Sequence, residues 1–385
     1  MCYKGLSARC LSLPRARRKR KMIPDKKKAS IPRRGPCRFV GILLVGVLLS
    51  CLVRCSGPRP ERGRTVVDDL GRRVSIPSSV DRVISLEPEI TRLIVALGAG
   101  ETLVGIDYFL KHHDHVFPVV FPGLKDLPLV SNAGQELDFE TALALRPDLV
   151  FSSPSESLMT ESIEGKLRAP VVALASLGRF ENLAREIELL GDILGRQARA
   201  RELMTLFEDR IESVREIIAS GPQGPRPRAY LAFWGSLLKT PVSYDPVEAA
   251  GGINVAAGLL PSRLGSATAV VDIERLFAWD PDVVLVHGNY PPPERTVTVE
   301  GLLADPRLRS LRAVREGRVH YTFGFWYWWD PALVLLEIQH LARILHPNLF
   351  PTFDLEAEGD LLFEAFYGIS GAFSEISRIL GCDDW

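Results

Sequence analysis

The sequence predicts an α/β protein with two Rossmann-like lobes, largely parallel sheets, a single long helix joining the lobes and a ligand cleft between them. Three observations support this fold class. One stretch of sequence recurs in the second half of the chain, strand-type and helix-type segments alternate in both halves, and a long helical stretch separates them. Such alternation is the pattern of a parallel sheet covered by helices.

The repeat pairs residues 138–150, DFETALALRPDLV, with residues 272–284, DIERLFAWDPDVV, and no gap is needed to align them. The offset of 134 residues, 272 minus 138, is too long for a solenoid unit and suits two domains of ordinary size. In each copy the first Asp is a candidate helix N-cap, and an apolar helix, a Pro and a buried strand follow. Each lobe therefore presents one carboxylate, Glu140 or Glu274, in the first turn of an equivalent helix.

The first lobe is predicted over residues 65–177. It opens with TVVDDLGRRVSIP, which predicts two short strands around a turn at residues 69–71 because β-rich runs flank a Gly. Strands and helices then alternate, as a parallel sheet requires. The predicted elements are strands at 82–86, 103–106, 149–152 and 171–174, and helices at 88–97 and 140–145.

The interlobe helix is predicted over residues 178–220, where apolar residues recur at helical spacing. Gly191 and Gly195 can break its first part. The portion after Gly195 has about 24 residues, or roughly 36 Å at helical rise, which is long enough to run the length of a lobe. Because one long helix resists a wide hinge, we expect only a modest closure of the cleft.

The second lobe is predicted over residues 221–385. It begins with the helix-breaking segment GPQGPRP and then repeats the alternation of the first lobe. Its predicted elements are strands at 228–234, 283–286 and 319–322, and helices at 331–345 and around 361–367.

The charge is distributed unevenly along the chain. Residues 1–50 hold 14 Lys and Arg against one acidic residue, Asp25. The whole chain has 47 basic and 47 acidic residues, so residues 51–385 keep 33 basic and 46 acidic groups, a net charge of −13. A negative surface repels nucleic-acid phosphates, and no nucleic-acid partner is expected.

The basic start is followed by an apolar run at residues 39–53, which is shorter than the roughly 20 residues that span a bilayer. This layout is typical of an export signal, which we predict over residues 1–50. Met22 is an alternative start, because the segment before it is unusually long for a signal. The rest of the chain is therefore expected to be exported, on the periplasmic or cell-surface side of the membrane.

The end of the apolar run, LLSC at residues 48–51, resembles a bacterial lipobox. Cys51 is therefore predicted to carry a lipid and to begin a membrane tether over residues 51–64. The alternatives are a short membrane anchor and cleavage by an ordinary signal peptidase. Cys55 is a poorer candidate for the mature N-terminus because Arg54 precedes it. The six Cys form neither a disulfide framework nor a CxxC metal site.

Ligands of such folds bind at the carboxyl ends of the parallel strands. Applied to both lobes, this rule selects residues that follow predicted strands. The candidate cleft residues are Glu87, Tyr108, Trp234, Tyr244, His287, Tyr290, Phe325, Trp326 and Trp328.

The last three belong to FGFWYWW at residues 323–329, which has six aromatic residues in seven positions. An aromatic wall suits a corrinoid, a haem or an aryl chelate, since stacking works without an exact hydrogen-bond match. The alternative is that these rings cap the core or the end of the helix at Pro331.

A His cluster offers a different chemistry. His112, His113 and His115, with His287 across the cleft, could bind a free transition-metal ion, because imidazole suits Zn, Cu, Fe and Ni. A solvated polar loop is the alternative. The sequence HHDH also resembles half of a metallo-hydrolase motif, but the Asp and His required further on are absent, so no enzyme activity is predicted.

Five features in this order resemble the substrate-binding proteins of ABC importers for iron chelates, cobalamin and haem. They are the lipobox, the segment from DDLGRRVSIP to GETLVGID at residues 68–107, the repeat pair, EAAGGINVA at residues 248–256 and the long interlobe helix. The resemblance covers about residues 65–370.

The resemblance implies a monomeric binding protein with no intrinsic cofactor, which delivers a metal chelate to an ABC permease and its ATPase. In that family one Glu on each lobe docks onto arginines of the permease, and the matching positions are Glu140 and Glu274. The alternative is that both Glu only favour the helix dipole. The identity of the chelate and of the permease, and the contact of side chains with metal, are left open by the sequence.

Overall fold

A computed structural model describes residues 63–132, 136–154, 157–175, 179–233, 235–262, 267–324, 329–382 and 385, without the side chains of residues 157–159. The chain divides into two compact units, Met1–Arg59 and Pro60–Trp385, and all described residues belong to the second. The predicted export signal and Cys51 lie outside the described residues. Within the described ranges, no helix combines the length and the apolar composition needed to cross a membrane.

The first lobe is built on a four-stranded parallel sheet. Its strands are β1 Arg64–Val67, β2 Arg73–Ile76, β3 Val83–Ser85, β4 Leu103–Ile106, β5 Leu149–Ser152 and β6 Val171–Ala173, and its helices are α1 Pro88–Ala96, α2 Tyr108–His112, α3 Phe117–Val120, α4 Phe139–Ala144 and α5 Ser157–Leu167. The sheet order is β4-β3-β5-β6, and β1 pairs with β2 as an antiparallel ribbon. The predicted alternation of strands and helices is confirmed.

The stretch predicted as the interlobe helix is divided into α6 Phe180–Ile193 and α7 Gln197–Ser220. The break lies at Gly195, which has a φ of 67° that glycine adopts without strain. The two helices pack antiparallel, and a Cβ on Gly191 would lie 2.6 Å from the Cβ of Ala200. The 24 residues of α7 form the long uninterrupted helix that the apolar spacing predicts.

The second lobe repeats the architecture of the first. Its strands are β7 Arg228–Ala232, β8 Lys239–Pro241, β9 Ile253–Asn254, β10 Thr268–Val270, β11 Val283–His287 and β12 Val319–Thr322, and its helices are α8 Asp245–Ala249, α9 Ile273–Trp279, α10 Val299–Ala304, α11 Arg312–Arg315, α12 Pro331–Leu345, α13 Leu355–Tyr367 and α14 Ala372–Leu380. The parallel sheet has the order β12-β11-β7-β9. When the strands of each sheet are numbered along the chain, both sheets have the order second, first, third, fourth from one edge to the other.

The sequence repeat coincides with equivalent elements of the two lobes. Asp138 caps α4 by accepting a hydrogen bond from the backbone N–H of Glu140 at 3.1 Å. Asp272 caps α9 in the same way, with the N–H of Arg275 at 2.7 Å. Each helix leads into the third strand of its sheet, so the repeat reflects a shared plan of the two lobes.

A second pair of equivalent contacts joins the first and third strands of each sheet. The carboxylate of Asp148 accepts a hydrogen bond from the N–H of Arg82 at 2.9 Å, just before β3. The carboxylate of Asp282 accepts one from the N–H of Arg228 at 2.8 Å, at the start of β7. Both Asp residues lie near the end of a copy of the repeat, so the repeat also contributes to the contact between the first and third strands.

The C-terminal helices contact the first lobe, which the sequence analysis does not predict. Helix α13 packs against α1, and α14 packs against α3. The guanidinium of Arg199 on α7 joins these parts, since it donates to the carbonyls of Ala96, Ala365 and Phe366. One apolar core runs through both lobes, and smaller clusters cover their outer faces. The lobe boundaries drawn from the sequence stay a prediction.

Candidate functional site

The second-lobe wall of the candidate site is centred on His287, the last residue of β11. Its ring stacks on Phe233 at a centroid distance of 5.3 Å and meets the edge of Tyr290 at 5.1 Å. Gly324, which follows β12, has a φ of 81°. A Cβ on Gly324 would overlap the imidazole and lie 2.9 Å even from its Cγ. Glycine is therefore required at this position to leave room for the His287 ring.

Two buried polar side chains at this wall have no hydrogen-bond partner among the described residues. His287 is 5% exposed and both of its ring nitrogens are unpaired, and Asn289 is 3% exposed with both amide atoms unpaired. They lie two residues apart at a strand end, so they are expected on the same side of the chain. A buried polar group without a partner costs about 1–3 kcal/mol. A bound molecule that satisfies these groups would remove this cost.

Burial lowers the pKa of His287 to about 3. The imidazole is therefore neutral at physiological pH, with one N–H donor and one free lone pair. Asn289 is a site residue that the sequence analysis missed. Its only sequence signal is its position two residues after the end of a predicted strand.

A cavity of about 180 Å³ adjoins this wall. The Arg295 side chain at its edge donates to the carbonyl of Tyr290 at 3.0 Å and lies 4.3 Å from the centre of the Tyr321 ring. The protein therefore holds this guanidinium in place, and its positive charge lies near the cavity. The lining residues are Gly235, His287, Tyr290, Glu294, Arg295, Thr296 and Val297.

A buried cluster of charged groups lies where the first lobe meets the start of α12 in the second lobe. Arg92 on α1 forms an ion pair with Asp114, and its Nε lies 3.7 Å from a carboxylate oxygen of Asp330. Glu89 and Asp107 are buried close enough to act on the charge of Arg92. Burial raises the pKa of Asp107 to about 7 and also raises the pKa of Asp330. Carboxyl groups thus outnumber guanidinium groups in this cluster.

Two of the predicted cleft residues lie at strand ends of the first lobe. Glu87 follows β3 and is buried, and its backbone carbonyl accepts hydrogen bonds from the hydroxyls of Ser85 and Thr91. Tyr108 follows β4 and is half-buried, with its ring 4.3 Å from that of His112. Neither residue lines the cavity beside His287.

Tyr244 supports the second-lobe wall from behind. It is 1% exposed, and its hydroxyl lies 2.9 Å from the carbonyl oxygen of Gly324 and 3.1 Å from the carboxylate of Glu337. Glu337 also accepts hydrogen bonds from the hydroxyl of Thr322 and from the N–H of Phe323. These bonds fix the backbone after β12. Tyr244 itself is not one of the residues that line the cavity.

The predicted free-metal site is not assembled among the described residues, and it stays a prediction. No group of three or more His, Cys, Asp or Glu in the described ranges is placed to hold a metal ion. His112 and His113 are exposed beside Tyr108, whereas His115 contacts Glu294 at 3.1 Å. His287 is enclosed by aromatic rings instead. Adjacency in the sequence therefore does not bring these imidazoles to one point.

The two predicted docking carboxylates occupy equivalent exposed positions. Glu140 lies in the first turn of α4 and Glu274 in the first turn of α9. Neither side chain forms a hydrogen bond or an ion pair with another described residue. Both are therefore accessible to a partner protein.

The aromatic residues Trp234, Phe325, Trp326 and Trp328 lie outside the described residues, so their predicted role stays a prediction. Trp329, the last residue of the aromatic run, is buried in the core and lies 6.2 Å from the ring of Phe180. Trp329, at the end of the run, therefore packs in the core, as the alternative interpretation expects.

Two lobes with parallel sheets of equal order, linked by a long helix and with a cavity at the strand ends, define an extracytoplasmic solute-binding protein. Residues 83–323 match the family model described as "Periplasmic binding protein". The chain belongs to the periplasmic binding protein family. It is the substrate-binding component of an ABC transporter, and proteins of this class bind solutes without catalysis and work with a permease and an ATPase.

Relatives differ in what they bind. The molybdate-binding protein MolA of Haemophilus influenzae is 25% identical over 357 residues, which cover 85% of this chain and 97% of MolA. A cobalamin-binding protein of Halobacterium salinarum is 23% identical over 235 residues, or 60% of this chain and 59% of that protein.

Solved structures agree with the fold. MolA bound to molybdate matches with a TM-score of 0.66 and 23% identity, covering 80% of this chain and 98% of MolA. Helicobacter pylori CeuE with Ni(II) bound matches with a TM-score of 0.66 and 15% identity, covering 81% of this chain and 98% of CeuE.

Proposed function

We propose that the chain captures a metal chelate, of the iron-siderophore, corrinoid or haem type, and delivers it to an ABC permease. The observation that carries this proposal is the buried, neutral imidazole of His287, whose ring nitrogens have no hydrogen-bond partner in the part of the chain that the structure describes. Its lone pair can bind the metal centre of a chelate, because imidazole is a good ligand for Fe and other transition metals. The unpaired amide of Asn289 can bind polar groups at the periphery of the same ligand.

The charge of the buried cluster around Arg92 refines this proposal. The buried cluster around Arg92 contains Glu89, Asp107, Asp114 and Asp330. Carboxyl groups outnumber the Arg92 guanidinium, and burial raises the pKa of Asp107 to about 7 and also that of Asp330, so the cluster offers no excess positive charge to a strongly anionic chelate. A corrinoid, whose periphery is rich in amides, fits this electrostatic environment better than a highly charged catecholate complex.

A compact oxyanion such as molybdate is the second candidate ligand. The similarity to MolA extends over 97% of MolA, a larger share than for the cobalamin-binding relative. The cavity of about 180 Å³ is also small beside the roughly 300–1,000 Å³ of pockets for drug-sized ligands. The N–H groups of His287 and Asn289 could donate to oxyanion oxygens.

Delivery to the permease is proposed to use Glu140 and Glu274. Their exposure and their equivalent places on the two lobes support this role. An exposed ion pair contributes only about 0.2–1 kcal/mol, so two separated pairs would orient the complex more than tighten it.

Membrane attachment through a lipid on Cys51 is part of the same proposal. It is supported by the lipobox-like LLSC at residues 48–51. Metabolic labelling with a radioactive fatty acid tests it. Label should appear on the mature chain and disappear in Cys51→Ala, and label that persists in this variant contradicts the assignment.

The ligand proposal is tested by titrating residues 56–385, which include the whole compact unit from Pro60, and following tryptophan fluorescence. The panel is cyanocobalamin, haemin, a ferric hydroxamate siderophore, sodium molybdate, and Zn, Mn and Fe ions. Saturable binding of one of the first three supports the chelate proposal. Saturation by molybdate alone would replace it with the oxyanion proposal, and response to free metal alone would contradict both.

A further inference from the structure

The loop between α2 and α3 contacts the second lobe through two neighbouring residues. We call residues 113–116 the bridging loop. Asp114 reaches the second lobe indirectly, through Arg92, and His115 reaches it directly, at Glu294. These contacts indicate a role for the loop that differs from both a metal site and a solvated polar loop.

The inner contact is fully buried. The Asp114 side chain is 0% exposed and Arg92 is 1% exposed, and the two form an ion pair. The Asp114 carboxylate also accepts hydrogen bonds from the N–H groups of Val116 at 2.8 Å and Phe117 at 3.0 Å. These contacts fix the loop on its buried side. Breaking the ion pair would leave one buried charge without its partner, which is costly.

On the far side of Arg92, Asp330 is held equally firmly. Its carboxylate caps α12 by accepting from the N–H groups of Ala332 at 2.9 Å and Leu333 at 3.2 Å. The hydroxyl of Tyr367 on α13 donates to the same carboxylate. The Nε of Arg92 lies 3.7 Å from it, so the inner contact links the first lobe to the start of α12.

The outer contact lies at the rim of the cavity. The Nε2 of His115 is 3.1 Å from the carboxylate of Glu294, and the two side chains are 28% and 52% exposed. Glu294 lines the cavity together with His287 and Tyr290. A residue of the first lobe is thus attached to the edge of the second-lobe binding cavity, where water can compete with the contact.

We propose that the bridging loop is an interlobe clasp. The buried contact of Asp114 with Arg92 holds the loop in place, and the exposed contact of His115 with Glu294 closes the rim of the cavity. A ligand enters and leaves when the outer contact breaks and the lobes separate slightly at this edge. The assignment of the ligand to this cavity rests on the proposed function, whereas the restraint on lobe separation does not.

The clasp is tested first without ligand, by measuring the distance between the lobes. Spin labels are placed on Lys125→Cys and Arg309→Cys, which are exposed positions on the two lobes, in residues 56–385 with Cys382→Ser. Pulsed electron resonance should give a broader distribution with a longer mean distance in His115→Ala and in Glu294→Gln. His113→Ala is the matched control, because the His113 ring packs on Tyr108 and Phe109 of its own lobe.

Exchange of the partners separates a specific contact from a general loss of structure. The double variant H115E/E294H should recover the wild-type distance distribution, because the hydrogen bond between an imidazole and a carboxylate is restored. Distributions that are the same for wild type, His115→Ala and Glu294→Gln would overturn the clasp.

The second readout is the dissociation rate of cyanocobalamin, measured by stopped-flow fluorescence. An exposed pair is worth little, so release should be about two- to fivefold faster in His115→Ala and Glu294→Gln than in His113→Ala. If cyanocobalamin does not bind the wild type, the chelate proposal loses its corrinoid form, and the distance measurement still decides on the clasp. Binding with unchanged release rates would overturn the gating role of His115.

Discussion

The substitution Gly324→Ala tests the packing around His287 most sharply. The added Cβ would overlap the imidazole ring, and the backbone has a φ of 81°. A left-handed conformation costs an alanine about 1–2 kcal/mol, and an overpacked site costs about 1–3 kcal/mol. Together these predict that Gly324→Ala lowers the free energy of unfolding by about 2–5 kcal/mol. Urea unfolding followed by circular dichroism measures the change.

Gly317→Ala is the matched control for this experiment. Gly317 has a φ of 68°, and a Cβ there would meet no atom within 4 Å. The control should therefore show only the backbone cost of about 1–2 kcal/mol. The difference between the two variants isolates the overlap with His287. Equal losses of stability in Gly324→Ala and Gly317→Ala would refute the placement of the His287 ring beside Gly324.

Two further predictions concern buried and exposed carboxylates. Burial raises the pKa of Glu337 from 4.5 to about 7, so its stabilising contribution is present below pH ~4.5 and is lost as the pH rises to ~7. As the pH rises from about 4.5 to about 7, the free energy of unfolding of Glu337→Gln should increase by about 3 kcal/mol relative to that of the wild type. A difference between the two proteins in urea unfolding that does not change with pH would refute this prediction. Glu140→Ala and Glu274→Ala should reduce uptake in cells and leave ligand affinity unchanged, with the exposed Glu188→Ala on α6 as control. Normal uptake with both substitutions combined would exclude the docking role.

Much of the fold follows from local sequence patterns. The strands at 103–106, 149–152 and 319–322 and the helix at 331–345 have the bounds predicted from apolar runs and flanking Gly or Pro. These signals are local, since burial of an apolar run and the conformational limits of Pro act over a few residues. The repeat also predicts the shared plan of the two lobes, including both Asp helix caps.

Features set by contacts between distant residues were not predictable. Arg146 and Asp280 have φ values of 46° and 40° at the ends of α4 and α9, although neither is the Gly that such a conformation favours. In both repeats a Pro follows, and the next Asp binds the start of another strand, so long-range bonding selects the local conformation. The packing of α13 and α14 on the first lobe has the same origin, because an amphipathic helix does not specify which surface will cover it.

The candidate site was predictable in position and less so in detail. The rule that ligands bind at the carboxyl ends of parallel strands selects His287. The contacts of its ring, however, are made with Gly324 and Phe233, which follow two other strands. The rule also selects Tyr244, which the carbonyl of Gly324 and the carboxylate of Glu337 hold in the core. The His cluster stays a predicted metal site, and the described residues do not assemble it because the geometry of the loop separates side chains that are adjacent in sequence.

The central claim is that this binding protein holds its cargo through His287, and calorimetric titration of wild type and His287→Ala tests it most directly. The ligand that saturates the wild-type protein in the fluorescence panel is used, with His113→Ala as control. We predict one site per chain in the wild type and in His113→Ala, and at least tenfold weaker binding in His287→Ala, which corresponds to a loss of about 1.4 kcal/mol. Equal affinity of wild type and His287→Ala, with loss of binding in His113→Ala, would contradict the claim and assign the ligand to the His cluster.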